Sequence, residues 1–367
     1  MRIELVKRPE QSTLFSALSP LIAFAMTVLA GAILFTLLGK DPILALYTYF
    51  IDPLTEVWSL HELAIKAAPL ILIAVGLSVC FISNNWNIGA EGQFVIGAIF
   101  GSSVPILFPG FQNAALLPVM LVMGALGGAA YAFIPAFLKA RFNTNEILTS
   151  LMLVYVAQLF LDWLVRGPWR DPGAMNFPQA VRFSSAATLP ELYPSAGRAN
   201  LGIVFAVVAA IIVWIILSKA LKGFELRVIG QSPRAGRFAG FSTSQTVIFA
   251  FLVSGALAGL AGISEVSGAI GRLQPQISPG YGFAAIIVAF LGRLNPLGIV
   301  AAGFVLALSY LGGEAAQIAV GVTDKTVRAF QGMLLFFVLA CDTLIRYRVR
   351  FVFNTLAKIG ETSHGNG

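Results

Sequence analysis

The sequence predicts an all-α polytopic membrane protein with about ten transmembrane helices in one domain. Of its 367 residues, 57% are hydrophobic and 11% are charged, and the mean hydropathy is +0.84. So few charges cannot cover the surface of a soluble domain of this length, which leaves lipid to solvate much of the chain. Runs near the roughly 20 apolar residues that cross a 30 Å hydrocarbon core recur from Leu18 to Arg346. The basic residues also gather in alternate connections between those runs.

The first run, Pro20 to Leu38, follows Arg2, Lys7 and Arg8 in the manner of a signal peptide. It is longer than a typical signal core, has no convincing A-x-A site and precedes many further spans, so it reads as a first helix. The predicted spans are 18–38, 63–82, 88–108, 114–138, 146–166, 201–217, 245–263, 277–292, 297–311 and 328–345. They form a membrane domain over 18–345, between an N-terminal segment 1–17 and a basic tail 346–367. Placing the N-terminus in the cytoplasm puts Lys139, Arg141, the 219–243 loop, Arg293, Arg346, Arg348, Arg350 and Lys358 on the same side. Fifteen of the 24 Lys and Arg residues then lie inside and nine outside, as the positive-inside rule requires. Both termini are expected in the cytoplasm. The net charge of +7 therefore reflects topology and anionic membrane lipid; no basic soluble module is present to hold nucleic acid.

Two stretches interrupt the helical pattern at similar places in the two halves: SNNWNIGAEGQF at 83–94 and QPQISPGYGF at 274–283. Each precedes a glycine-containing apolar run, and the spans before them cross in opposite directions. That arrangement suggests an inverted pseudo-repeat with interrupted helices beside a solute path, or two ordinary Gly/Pro loops. Small residues four apart, Gly97 and Gly101, Gly124 and Gly128, Gly255 and Gly259, favour close helix packing. The external loop 167–200, entered at Arg166 and containing RGPWRDPGAMNFPQA, suits a folded cap or a merely decorative loop. Cys80 and Cys341 both fall in apolar runs and read as small buried hydrophobes.

Among motifs that carry chemistry, G-x-x-x-x-G-K-[ST] is missing, so the chain has no visible means of binding ATP. Gly280, Gly282 and Ala285 form only a loose G-x-G-x-x-A without a surrounding βαβ unit. His61 and His364 are too few and too distant for a metal cluster. No paired carboxylates or activated nucleophile indicate an enzyme. Glu91 stands out as a carboxylate inside an apolar run near a helix start, where it either staples the broken helix or meets solute. Asn84, Asn85, Asn87 and Gln93 supply donors and acceptors beside it, and Trp86 offers a stacking face or an interfacial anchor. In the second break, Gly280, Tyr281, Gly282 and Phe283 border the same expected path. Asn143, Asn145 and Glu146 make a polar entrance to the fifth span, with Thr144 or Asn145 as a cap. Arg293 and Asn295 either close the cytoplasmic end of the path or snorkel and turn the chain before Pro296. Asp162 and Asp342 have only helix-end placement to explain them.

The 219–243 connection, KALKGFELRVIGQSPRAGRFAGFST, is too long and basic for a plain turn. Ser232 and Pro233 start a short amphipathic helix carrying Arg234, Arg237 and Phe238, with Phe241 nearby. Such a helix lies on anionic lipid or inserts into a cytoplasmic partner, and the glycines at 223, 230, 236 and 240 favour the partner.

NIGAEGQ at 87–93, NEILTSLML at 145–153, GFELRVIGQSPRAGRFAG at 223–240 and SPGYGFAAIIVAFLGRLNPLG at 278–298 resemble permease subunits of bacterial ABC importers in the branched-chain amino acid, ribose and nucleoside transport family. The resemblance spans about residues 60–345, and WRDPGAMNFPQ at 169–179 is similar to the nucleoside-type members; simple-sugar permeases look much the same. It implies a type II importer fold in the inner membrane, working by alternating access. It also implies three partners: a cytoplasmic ABC ATPase that binds the ATP, a second permease subunit in a heterodimer, and an external solute-binding protein. No cofactor of the chain itself is implied. On this resemblance Gly223, Glu225, Arg227, Gly230, Pro233, Arg234 and Arg237 belong to the ATPase coupling element. The rival is an ion-coupled secondary transporter or channel for a small polar solute, for which Glu91 is the one strong coupling carboxylate.

Overall fold

Helices account for nearly all of the regular structure, because a chain that must satisfy its backbone in lipid has few alternatives. The computed structural model describes residues 2–7, 13–193 and 197–352; Arg8, Lys358 and His364 lie outside the described residues. The helices are α1 (Thr13–Leu37), α2 (Pro42–Phe50), α3 (Val57–Ile82), α4 (Ala90–Leu107), α5 (Leu116–Phe142), α6 (Glu146–Arg166) and α7 (Gly202–Lys219). They continue as α8 (Leu221–Gln231), α9 (Pro233–Phe238), α10 (Thr243–Glu265), α11 (Tyr281–Leu291), α12 (Pro296–Val320) and α13 (Asp324–Arg346). A π-helical turn, Val266–Ile270, extends α10. The expected all-α class needs one amendment. Strands β1 (Arg2–Lys7) and β2 (Tyr347–Val352) pair antiparallel, with Arg2 opposite Val352 and Lys7 opposite Tyr347.

Two compact units divide the chain, Tyr47–Val322 and the pair Met1–Leu46 with Thr323–Gly367. In the smaller unit α1 packs on α13. Gly31 leaves room for the Phe330 ring, whose centroid lies 5.6 Å from that of Phe35. In the larger unit α3 is the central element: residues 67–81 are all buried, against α7, α10, α11 and α12. A helix apolar all round belongs in such a place. By contrast α5 and α6 leave Leu126, Phe137, Leu159 and Trp163 exposed, as a lipid-facing flank does.

The glycine spacings explain how α4, α5 and α10 interlock. A Cβ at Gly97 would collide with the backbone of Gly259, one at Gly128 with the carbonyl of Gly255, and one at Gly101 with the Ile263 side chain. Backbones therefore meet across both crossings, which only small residues permit.

Among the described residues seven helices, α3, α4, α5, α6, α7, α10 and α12, are long and apolar enough to cross a membrane. The region expected at 277–292 is shorter: residues 277–280 are not helical, and the 11 residues of α11 span only about 16 Å. Its start is delayed by the Ser-Pro-Gly turn, where Gly280 adopts φ 101°. Conversely α12 runs beyond the expected 311 to Val320, through the polar Glu314 and Gln317. Unforeseen α2 is started by Asp41, whose Oδ1 accepts from the Ile43 amide at 2.9 Å. Residues 180–189 fold back on 267–273: the amides of Ala180, Phe183 and Leu189 donate to the carbonyls of Leu273, Gly271 and Ser267.

Candidate functional site

The two interruptions of the helical pattern meet. After α3, Asn84 takes a left-handed backbone, φ 56°, and the chain continues without regular structure to Gly89. Along it the side chains alternate, with Asn84 and Trp86 exposed and Asn85 and Asn87 buried. This two-residue period divides the expected polar set between two faces.

Asn87 and Gln93 pair reciprocally: Asn87 Nδ2 donates to Gln93 Oε1 at 2.9 Å and Gln93 Nε2 to Asn87 Oδ1 at 3.0 Å. Asn87 Nδ2 also donates to Ser254 Oγ of α10 at 3.0 Å, and the Gly89 amide to Asn87 Oδ1 at 3.1 Å. Every polar atom of the Asn87 amide is therefore engaged, as full burial demands.

Glu91 lies in the first turn of α4, yet its carboxylate serves another helix. Its Oε2 accepts from the Gly282 amide, in the first turn of α11, at 2.6 Å, with Ser278 as a second hydrogen-bond partner. Ser278 Oγ in turn accepts from the amides of Gly280 at 3.0 Å and Tyr281 at 2.9 Å. The carboxylate thus bridges two helix N-termini, where exposed amides and dipole ends favour negative charge. A Cβ at Gly282 would stand 2.5 Å from Glu91 Cα, so this approach needs glycine. Glu91 is a staple, and what it staples is the second break. Tyr281 is buried between Phe94 and Tyr310, both 6.2 Å away by ring centroid.

A second network closes the other end of the first break. Lys139 Nζ at the end of α5 donates to Asn85 Oδ1 at 2.8 Å and pairs with Glu146, while the Trp86 amide reaches Glu146 Oε1 at 3.3 Å. Trp86 itself stacks on Phe290, 5.9 Å between centroids. Asn145 rather than Thr144 caps α6, accepting from the amides of Ile147 and Leu148; Thr144 Oγ1 is buried without a hydrogen-bond partner. Asn143 ends α5 in the left-handed region, and Asn295 caps α12. Asp162 pairs with Arg166 one turn on. Phe283 is exposed, and Gly280 has open space around it.

The 219–243 connection folds as two helices, one more than its sequence led us to expect. Ser232 does cap α9. The seven residues assigned to a coupling element separate into two sets. Gly223, Glu225 and Gly230 face their own bundle, and Arg227, although exposed, bonds back to it. A Cβ at Gly230 would strike the Ile82 carbonyl, and one at Gly223 the backbone of Leu217. Arg227 donates to the carbonyls of Leu217 and Gly223. Glu225 accepts from Lys222 Nζ at 2.8 Å and from Thr246 Oγ1 at 2.6 Å. Burial raises its carboxyl, but the Lys222 and Thr246 bonds outweigh that and hold it below the usual range. Stability from this group is present at neutral pH and is lost as pH falls through the lowered folded-state value. Pro233, Arg234 and Arg237 are exposed beside Phe238, which is 96% exposed.

Lys139, Ser254 and Ser278 are site residues that sequence reasoning missed. Only Ser278 carried a local signal, since Ser before Pro-Gly marks a turn and a cap. Glu265, just past its expected span, also escaped notice; with Asn200 and the unpartnered Ser264 hydroxyl it lines a cavity of about 10 Å³, the size of one water. Among the described residues no cluster of His, Cys, Asp or Glu suits a metal, and Cys80 and Cys341 are free thiols.

Residues 59–339 match the branched-chain amino acid transport system, permease component. The chain belongs to that permease family. Its relatives include the glucose ABC transporter permease protein TsgB13 of Haloferax volcanii, 36% identical over 92% of this chain and 90% of the relative. The nucleoside ABC transporter permease protein NupB of Lactococcus lactis is 30% identical over 88% of this chain and 90% of its own length. The guanosine ABC transporter permease protein NupP of Bacillus subtilis is 30% identical over 94% and 97%. A solved metal-chelate type ABC transporter in an inward-facing conformation covers 90% of this chain and 99% of its own, at 15% identity and a TM-score of 0.45.

Proposed function

We propose that this permease is the transmembrane subunit of an ATP-binding cassette importer that carries a nucleoside or simple sugar by alternating access. The observation that carries the reading is the direct seating of α8 on the first break: Gly230 abuts the Ile82 carbonyl, three residues from the Asn85 side chain held by Lys139. A push on the α8–α9 element therefore reaches the polar lining without passing through the length of a helix. The exposed Pro233, Arg234, Arg237 and Phe238 supply the surface on which a separate ATPase presses. The solute passes Asn85, Asn87, Glu91, Gln93 and Tyr281, with Trp86 at the cytoplasmic exit. Hydroxyl-rich neutral solutes suit such a lining of amides and aromatic rings, and the relatives named for glucose, nucleosides and guanosine support that class.

The assembly contains a cytoplasmic ATPase, a second permease subunit and an external solute-binding protein. It has both termini in the cytoplasm, about ten crossings in the inner membrane and an inverted relation between the two halves. Proteoliposomes holding all subunits should accumulate solute only with ATP. Uptake by this chain alone on an ion gradient would sink the proposal in favour of a secondary carrier. Changing Arg234 and Arg237 together to Glu should abolish co-purification of the ATPase while membrane insertion is retained; unchanged co-purification counts against docking at α9.

A further inference from the structure

We propose that the small cavity between α3, the end of α10 and the start of α7 binds one monovalent cation of sodium size. The cavity has a volume of about 10 Å³, and Ile65, Pro69, Asn200, Gly202, Ser264 and Glu265 are among its lining residues. No lysine, arginine or histidine lines it. The transport reading neither needs this site nor uses its residues.

Charge is the first argument. Glu265 is the one ionisable group in the lining, and among the described residues it makes no hydrogen bond or ion pair. Lys66 and Glu62 are the charged groups that act on its carboxylate. Both are engaged elsewhere: Lys66 Nζ pairs with Glu314 at 2.8 Å, and Glu62 with Arg198 at 2.8 Å. Three carboxylates thus share two cations, and the one left over lines the cavity, where an ionisable group within a membrane bundle calls for a partner. Glu265 is only partly buried, which gives an ion a way in. It also ends α10 directly before the π-helical turn Val266–Ile270, a change of helical register that recurs at functional positions.

Oxygen supply is the second. Ser264 is 6% exposed, and its hydroxyl has no hydrogen-bond partner. A Cβ on Gly202 would stand 2.8 Å from Asn200 Oδ1, 3.8 Å from Ala68 Cβ and 3.9 Å from Ser264 Cβ, so glycine keeps this space open. Asn200 Nδ2 lies instead against Gly268, outside the lining. Pro69, inside α3, has no amide hydrogen to return to the Ile65 carbonyl one turn back, which leaves a backbone acceptor at the wall. The cavity is therefore bordered by four oxygen groups: a carboxylate, a hydroxyl, an amide carbonyl and a peptide carbonyl. A water donates to only two of them and brings no charge. A bare monovalent cation meets all four and balances Glu265, and so small a space favours sodium over potassium. Calcium takes about 6–8 oxygens, and among the described residues no cluster of His, Cys, Asp or Glu suits a divalent metal.

The test measures retention of radioactive sodium by the purified full chain, and its thermal unfolding in sodium, potassium and choline chloride at equal ionic strength. Sodium should be retained at one ion per chain and should raise Tm, whereas potassium and choline should not. E265Q keeps the shape of the side chain and removes its charge; it should abolish both retention and the sodium-dependent rise in Tm. S264A should weaken retention about tenfold, and it decides the matter alone if E265Q does not fold. D162N, at the far end of α6, should leave retention unchanged. Equal Tm in the three salts, or sodium retention untouched by E265Q or S264A, overturns the site. A wild-type chain that retains no sodium holds at most a water in this cavity, and that result overturns the proposal as well.

Discussion

The two interruptions of the bundle solve one problem by different means. Over 83–89 the freed backbone and buried amides are satisfied by side chains: Asn85 by Ser83 and Lys139, Asn87 by Gln93 and Ser254. Over 271–280 the backbone itself does most of the work, through amide donors from residues 180 and 183 and left-handed glycines at 271 and 280. The first break is specified by chemical identity and the second by conformational freedom. Substitutions should therefore damage them in distinct ways.

The largest effect is expected from Gly282→Val, because the new Cβ meets backbone of Glu91 and not a movable side chain. Overpacking costs about 1–3 kcal/mol and occasionally more, and folded yield by fluorescence-detected size exclusion should collapse. A monodisperse variant would remove close backbone approach as the requirement at the second break. Next comes Glu91→Ala, which strips the Gly282 amide of its acceptor in a buried position and should cost roughly 1–3 kcal/mol. Glu91→Gln keeps an acceptor and should cost less than half as much by Tm; equal losses would show that charge rather than the hydrogen bond matters. For the first break, a double-mutant cycle on Asn87→Ala and Gln93→Ala should return a coupling of about 1 kcal/mol. Strict additivity would break the contrast. The smallest change is Gly280→Ala, where open space surrounds a strained φ, so only the conformational term of about 1 kcal/mol applies; retained uptake in proteoliposomes should accompany a small fall in Tm.

How much of this was legible beforehand follows the same division. The long helices were readable because runs of apolar residues in a nearly uncharged chain have no other stable state in lipid. α2 was not, being only nine residues long, and α12 outran its apolar core because Glu314 and Gln317 stay helical beyond it. The glycine pairs announced close crossings, since spacing is a local property. Which residues meet across them is not local. Glu91 was conspicuous as a rare charge, but nothing in its neighbourhood in sequence names Gly282, 191 residues away. Lys139 looked like one more basic residue marking a helix end. The α8 residues looked like a docking surface because the pattern identifies a charged helix without saying which face is covered, and Glu225 and Arg227 turn out to pin α8 to α10 and α7.

The Glu91 carboxylate has a kinematic consequence. Separating the start of α4 from the start of α11 would leave a buried carboxyl group and the Gly282 amide without partners in an apolar surrounding, a cost of several kcal/mol. These two helices are therefore expected to travel as one body, hinged outside their junction. Relative movement must be taken up where contacts are cheaper to exchange, and the Lys139–Glu146 pair, whose side chains are only partly buried, is such a place. A disulfide clamp between α4 and α11 should thus be tolerated during turnover, whereas one between α5 and the 84–86 segment should arrest it.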